Sequence, residues 1–364
     1  MQTLFKKKFE SLPMLLFFCA CQKGLIFLFI LNFINLVIPN HSFAQQAVIK
    51  NISDSTEIND YQYIFPLLGE NVNEKGFTLP YPHGIMINYL TGKQMLAIDK
   101  MQVGFNNHGM IDLDPIIKFK DNQVNIHSIN TRVDTWVLPF LDVYGIAGKS
   151  YSNTNIHVVE PINLDPIVDV ESKYYGVGAM LAGGIGKFFI SVDANQVWTF
   201  SPQLDDPSKV LTAGIRTGPT FKIKNKPEMN IALWTGLQFS RFGTETAGQI
   251  DASDIFPNGS EQIKQTQQQL AIWYDNLSPI KQKLYETPYN NVQDGLSSLE
   301  GNSTIQYSMD KYIEYPYNLL LGAQWQINRR WQIRTEAQIC GDRSAGLFSV
   351  NYRFGVKKRK FRNA

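Results

Sequence analysis

The chain is short of charge and almost without cysteine. Asp, Glu, Lys and Arg make up 18% of its 364 residues, against about 25% in an ordinary soluble protein. A formal net charge of only +2 does not announce a nucleic-acid partner. Much of the basic excess sits in one terminal run, Lys357, Lys358, Arg359, Lys360 and Arg362, of the kind that forms a solvated tail. Of 3 cysteines, Cys19 and Cys21 lie in the apolar N-terminal region, and only Cys340 lies beyond it. Past that region neither an intramolecular disulfide nor a cysteine metal cluster can form. Long apolar runs are missing too: beyond Pro82 none approaches the roughly 20 residues of a membrane helix. Histidine is scarce, and none of His83, His108, His127 and His157 sits in a lipase or protease pattern. Ser128 adjoins His127, but neighbours on a strand point to opposite faces and cannot work as a pair. No Gly-rich loop precedes a helix as a phosphate cradle would, and Asp112 and Asp114 read as solvated carboxylates rather than metal ligands. No cofactor is expected.

The N-terminus has a different character. Lys6 to Lys8 and Lys23 precede apolar runs, and the second run, Leu25 to Ile38, has the length of a signal h-region and is shorter than a membrane span. Ser42 and Ala44 then stand where a signal peptidase reads small residues, so cleavage is expected between Ala44 and Gln45. An uncleaved anchor is the rival reading, and translation from Met14 would shorten the segment. Residues 45–83 follow as a polar leader.

From there onward the chain reads as strand-like runs of about 8 to 13 residues with period 2. The clearest stretch is the last. Trp331, Ile333, Thr335, Ala337 and Ile339 alternate with Gln332, Arg334, Glu336 and Gln338, and Phe348, Val350, Tyr352 and Phe354 alternate with Ser349, Asn351 and Arg353. Earlier runs behave alike: Tyr175, Val177, Ala179 and Leu181 form one face, and Val192 and Ala194 oppose Asp193 and Asn195. A soluble sandwich would enrich its polar face in Lys and Glu. Here that face holds Gly, Ser, Asn, Gln and isolated charges of both signs, which suits a polar lumen inside a barrel whose outside meets lipid. Trp198, Trp325, Trp331 and Tyr352, near strand ends, fit interfacial girdles.

Connection lengths give an independent test. The connections at Leu138 to Phe140, Gly183 to Gly186, Lys222 to Met229 and Asn328-Arg329 are short, whereas three of the alternate ones are long, an asymmetry expected of outer-membrane barrels. The expected fold is therefore all-β: a transmembrane, antiparallel, up-and-down barrel over residues 84–355, of about 12 strands within a range of about 10 to 14. Residues 241–315 form one long extracellular or lumen-inserted loop, with a helix over 261–285, and 356–364 a basic periplasmic tail.

The closing Leu347-Phe348-Ser349-Val350-Asn351-Tyr352-Arg353-Phe354 resembles the C-terminal β-signal of Gram-negative outer-membrane barrels, and with the strand series the chain resembles such proteins of a kind common in Bacteroidetes. The departure is that residues continue past Phe354. The resemblance implies outer-membrane localisation, with membrane lipid, lipopolysaccharide and the barrel-assembly machinery as partners, the last reading Phe348, Val350, Tyr352 and Phe354. Inward-facing charges, Asp134, Asp142, Asp193, Arg216, Arg334, Glu336 and Arg353, are the candidate lumen-lining set. They would either set a transverse field in an open pore or fill the lumen with salt bridges. A passive channel or carrier for a small solute is the leading function, and no enzyme is expected. A structural or adhesion barrel acting through its outer loops is the alternative, and a barrel hydrolase the third reading.

Overall fold

A computed structural model describes residues 49–50, 61–74, 77–106, 109–243, 245–300 and 303–358. The expected cleavage position at Ala44 and Gln45, His108 and the tail from Arg359 lie outside the described residues.

Twelve strands carry the architecture. In chain order they are β1 (His83–Phe105), β2 (Asn122–Leu138), β3 (Leu141–Asn155), β4 (Ile167–Ile185), β5 (Phe188–Phe200), β6 (Ser208–Ile223), β7 (Lys226–Phe242), β8 (Glu245–Asp251), β9 (Thr304–Tyr312), β10 (Tyr317–Gln326), β11 (Trp331–Ile339) and β12 (Arg343–Phe354). Strands β1 to β7 and β10 to β12 pair antiparallel, each with its neighbour, and β12 returns to β1, closing a ring of ten. Closure leaves no sheet edge in the wall. The expected total of about 12 is corrected to a ten-stranded wall. The other two strands, β8 and β9, form a hairpin outside the ring. This works because β1 is 23 residues long: its edge pairs with β12 up to Gln94 and with β9 from Ala97 to Phe105.

The connections divide by end. Residues 139–140, 186–187, 224–225 and 327–330 make short links at the end where β1 starts and β12 finishes. Gly186 (φ 62°) and Asn225 (φ 65°) supply the left-handed conformations that tight hairpin turns need. At the other end lie 106–121, 156–166, 201–207 and 243–316, with the short 340–342 among them. The longest holds β8, β9, a single helical turn at Ala252–Ile255 and two longer helices, α1 (Ser260–Asp275) and α2 (Pro279–Ser297). The single helix expected over 261–285 is therefore two. Pro279 begins the second helix, because the first helical position has no backbone N–H partner to lose.

Side-chain alternation changes phase along the strands. Near the short-turn end the outward row is apolar and exposed: Tyr175, Val177, Leu181 and Ile185 on β4, Leu233 and Leu237 on β7, and Phe348 on β12 are between 40% and 69% exposed. Rings mark both borders of this belt, Trp331 against Tyr352 at 4.9 Å below and Tyr175 against Trp198 at 5.6 Å above. A continuous apolar belt of this kind is what bilayer hydrocarbon covers. Beyond it the pattern inverts. Lys149, Asn153, Asp169, Glu171 and Lys173 point outward, with an Asn153 to Asp169 hydrogen bond of 2.8 Å, while Val124, Ile126, Val168 and Val170 point inward. The strands thus stand proud of the belt, and their outer part is built like a soluble sheet with an apolar interior.

A β-bulge extends that interior. At Lys100 (φ 52°) the pairing of β1 with β9 slips by one residue, so the inward set passes from Leu96 and Ile98 to Met101, Val103 and Phe105. Val103, Phe105, Leu113, Ile116, Ile250 and Leu296 form the buried cluster of the outer end.

Residues 61–74 and 77–82, expected as part of a polar leader, are tied across the short-turn end. Leu67 N–H donates to Val137 at 2.8 Å, Ile64 N–H to Val356 at 3.1 Å, and Trp136 N–H to Pro82 at 2.9 Å.

Candidate functional site

Charged residues fill the lumen in the belt half. Arg132 on β2 contacts Asp142 on β3 at 2.6 Å and lies 3.9 Å from Asp134, which Arg353 on β12 reaches at 3.1 Å. The Arg353 Nε also donates to the Tyr81 carbonyl at 2.9 Å, binding this cluster to the N-terminal strap. A second cluster centres on Glu336 of β11. Its carboxylate accepts from Arg216 Nε at 2.7 Å, Arg334 at 2.8 Å and the Trp234 indole N–H at 2.8 Å, and Arg216 also pairs with Asp193. Across both clusters the arginines 132, 216, 334 and 353 face the carboxylates 134, 142, 193 and 336, four against four. The floor is formally neutral.

It is also filled. Asp134, Asp142, Glu336 and Arg353 are each 1–2% exposed, and the Arg132 guanidinium lies 3.7 Å from the Tyr144 ring centroid. Packing is tight enough that a Cβ on Gly322 would come within 2.2 Å of the Trp234 ring. Gly322→Ala is therefore expected to destabilise the refolded barrel by about 1–3 kcal/mol, as overpacked sites do, read as a lower urea midpoint. An unchanged midpoint would mean that the ring moves aside freely.

All seven expected lumen residues lie inside the ring, and the structure joins them in salt bridges rather than along an open bore. Arg132, Tyr144 and Trp234 share their face and stand outside the expected lumen-lining set. The signal was present, since Arg132 stands two positions from Asp134 on one strand.

Above the floor opens a cavity of about 720 Å³. Its lower wall carries Asn88, Ser128, Asn130 and Tyr174, linked by hydrogen bonds of 2.6–2.9 Å. Higher up the lining turns apolar, with Leu96, Ile98, Val124, Ile126, Val168 and Val170 prominent. The helices lie over its top: Leu270 of α1 and Val292 and Leu296 of α2 line the cavity, and α2 sits so close that a Cβ on Gly295 would fall 2.1 Å from the Phe105 ring. The long insertion is thus a lid on the outer end and leaves the belt-level lumen to the wall strands. Two cations also face this cavity, Lys311 of β9 and Arg343 of β12.

Other candidates are dispersed. His127 faces outward between Tyr89 and Thr91, His83 meets Thr135, and His157 meets Asp165 at 2.8 Å. No described histidine bonds to both a hydroxyl and a carboxylate. Among the described residues no three His, Cys, Asp or Glu side chains gather as metal ligands would. Asp114 and Asp112 instead accept from the backbone N–H groups of Lys100 at 2.6 Å and Asp114 at 3.1 Å. On β12, Phe348, Val350, Tyr352 and Phe354 form the outward row, while Ser349, Asn351 and Arg353 are buried inside.

No protein-family model matches the chain, and no curated protein does. Among solved structures it is similar to outer-membrane β-barrels. The outer membrane protein OprG from Pseudomonas aeruginosa aligns at 9% identity over 76% of this chain and 98% of that one, with a TM-score of 0.32. The β domain of the Bordetella autotransporter BrkA aligns at 9% identity over 75% and 100%, with a TM-score of 0.30. An outer membrane channel from Pseudomonas putida F1 aligns at 8% identity over 76% and 97%, with a TM-score of 0.29.

Proposed function

We propose that the chain is an outer-membrane barrel that takes small, largely apolar solutes from the outside into the lidded cavity and serves as their carrier across the membrane. The observation that carries this is the apolar upper lining above a filled, neutral floor. A water-filled porin lumen is polar along its length, whereas a recognition site for an apolar solute is a concave, mainly apolar chamber with a few polar groups. The cavity of about 720 Å³ lies within the size range of such sites. On this proposal the cleaved signal delivers the chain to the periplasm, the barrel-assembly machinery reads Phe348, Val350, Tyr352 and Phe354, and lipid and lipopolysaccharide surround the belt. No catalytic step is assigned to it.

Two measurements test the carrier. Refolded protein in planar bilayers is expected to show little steady ion conductance, because the floor is closed. Cells producing it are expected to accumulate a labelled apolar compound, such as toluene, faster than cells without it. Large porin-like conductance, or no gain in uptake, would overturn the carrier. An adhesion role for the outer surface keeps one specific support: Ile272, Ile280 and Leu284 on the helical lid are 62%, 83% and 67% exposed.

A further inference from the structure

The floor and the upper wall differ in charge. Below, four arginines are matched by four carboxylates. Above, Lys311 and Arg343 line the same cavity, and neither side chain has an ion-pair or hydrogen-bond partner among the described residues. The unmatched charge of the chamber is therefore two positive charges, set in a mainly apolar wall.

Their placement is not scattered. Both strands that carry them pair with the same edge of β1: Arg343 stands opposite Gln94 and Lys311 opposite Ile98. Four residues along a strand is about 13 Å, and two long side chains pointing to one face can close on a group held between them. Arg343 is the first residue of β12 and Lys311 the last but one of β9, so the two flank the point on β1 where one partner strand gives way to the other, at the level where the wall leaves the apolar belt. A cation facing an apolar chamber is costly unless paired. Burial accordingly holds the Lys311 ammonium below its usual range, with no carboxylate beside it to raise it. A bound anion would supply what both groups lack.

We infer that the solute is an amphiphile with one anionic headgroup, a free long-chain carboxylate being the type, whose head lies between Lys311 and Arg343 and whose apolar tail fills the upper cavity. This rests on the carrier reading and narrows its substrate class. The alternative source of the same chemistry is the acidic headgroup of a membrane lipid.

The test uses the barrel refolded into phosphatidylcholine nanodiscs with the neutral fluorophore N-phenyl-1-naphthylamine as reporter. Dodecanoate is expected to displace it at a concentration about tenfold or more below that of 1-dodecanol, the scale of a charge-assisted contact. Lys311→Gln with Arg343→Gln should bring the two compounds together while leaving 1-dodecanol unchanged. Lys311→Arg with Arg343→Lys should keep the preference, which also shows that the site tolerates substitution. Equal displacement by acid and alcohol in the unaltered protein would overturn the headgroup assignment and leave the apolar chamber standing. Failure of the reporter to bind at all would overturn the carrier reading itself. Loss of the dodecanoate preference in discs containing phosphatidylglycerol would assign the cations to a lipid headgroup and overturn the free solute.

Discussion

Glu336→Ala is expected to destabilise the refolded barrel by about 3–5 kcal/mol and to admit ions through its floor. Its carboxylate, 2% exposed, holds two arginines and an indole N–H within 2.7–2.8 Å. Removing one partner of a buried ion pair leaves uncompensated charge in a buried site, and the cost is of this size. Here two guanidinium groups would be left, with only Asp193 remaining to one of them. Arg216 and Arg334 would repel each other, and the route they relieve themselves by is water entry, so the destabilised floor should also conduct. Urea unfolding followed by tryptophan fluorescence in lipid vesicles reads the first effect, and single-channel recording the second. Pairing Glu336→Leu with Arg216→Met should recover part of the stability, since replacing an ion pair by apolar groups of similar volume is close to neutral. An Ala variant with an unchanged midpoint and no conductance would show that the network neither supports nor seals the barrel.

The membrane-level half of the molecule was legible in the sequence, and the outer half was not. From Trp331 to Ile339 and again from Phe348 to Phe354 the period of two assigns each residue its side, and the inward charges read from that rule lie in the lumen. Beyond the belt the rule inverts: at Val124, Asn125 and Ile126, or Val168, Asp169 and Val170, apolar residues face in and polar ones out. A single strand therefore carries two phases, and a reading that assumes one phase treats the second as a loss of pattern. The phase change is itself in the sequence and marks the upper border of the apolar belt near Lys149 and Lys173. What the sequence does not carry locally is pairing. Nothing in Thr304 to Tyr312 states that β9 will dock on the extension of β1 rather than enter the ring, because both arrangements bury the same alternate residues, and the choice depends on the length of β1 and the bulge at Lys100. Lys311 and Arg343 escaped notice for the same reason: 32 positions apart in the sequence, they share a site only through that docking.

Phe354→Asp is expected to abolish appearance of the barrel in outer membranes while leaving its refolding in vitro nearly intact, and the contrast with Phe348→Arg shows why. Phe348, 49% exposed, lies within the apolar belt, flanked by Thr335 and Tyr89. A basic side chain there faces hydrocarbon at a depth where the penalty is about 2–4 kcal/mol. Phe354 is the last residue of β12, at the belt's lower border, with its ring 5.4 Å from that of His83. Charge at that border costs only about 0–1 kcal/mol, and less for Asp than for a basic residue. Bilayer energetics alone thus rank Phe348→Arg as the more damaging variant. If the outward row Phe348, Val350, Tyr352, Phe354 is also what the assembly machinery reads, the ranking reverses in cells and only there. Heat-modifiable migration of outer-membrane fractions measures the cellular outcome, and urea unfolding of the same variants in vesicles measures the bilayer cost. Normal heat-modifiable Phe354→Asp barrel in outer membranes would remove the assembly role from the row and leave it as lipid-facing surface.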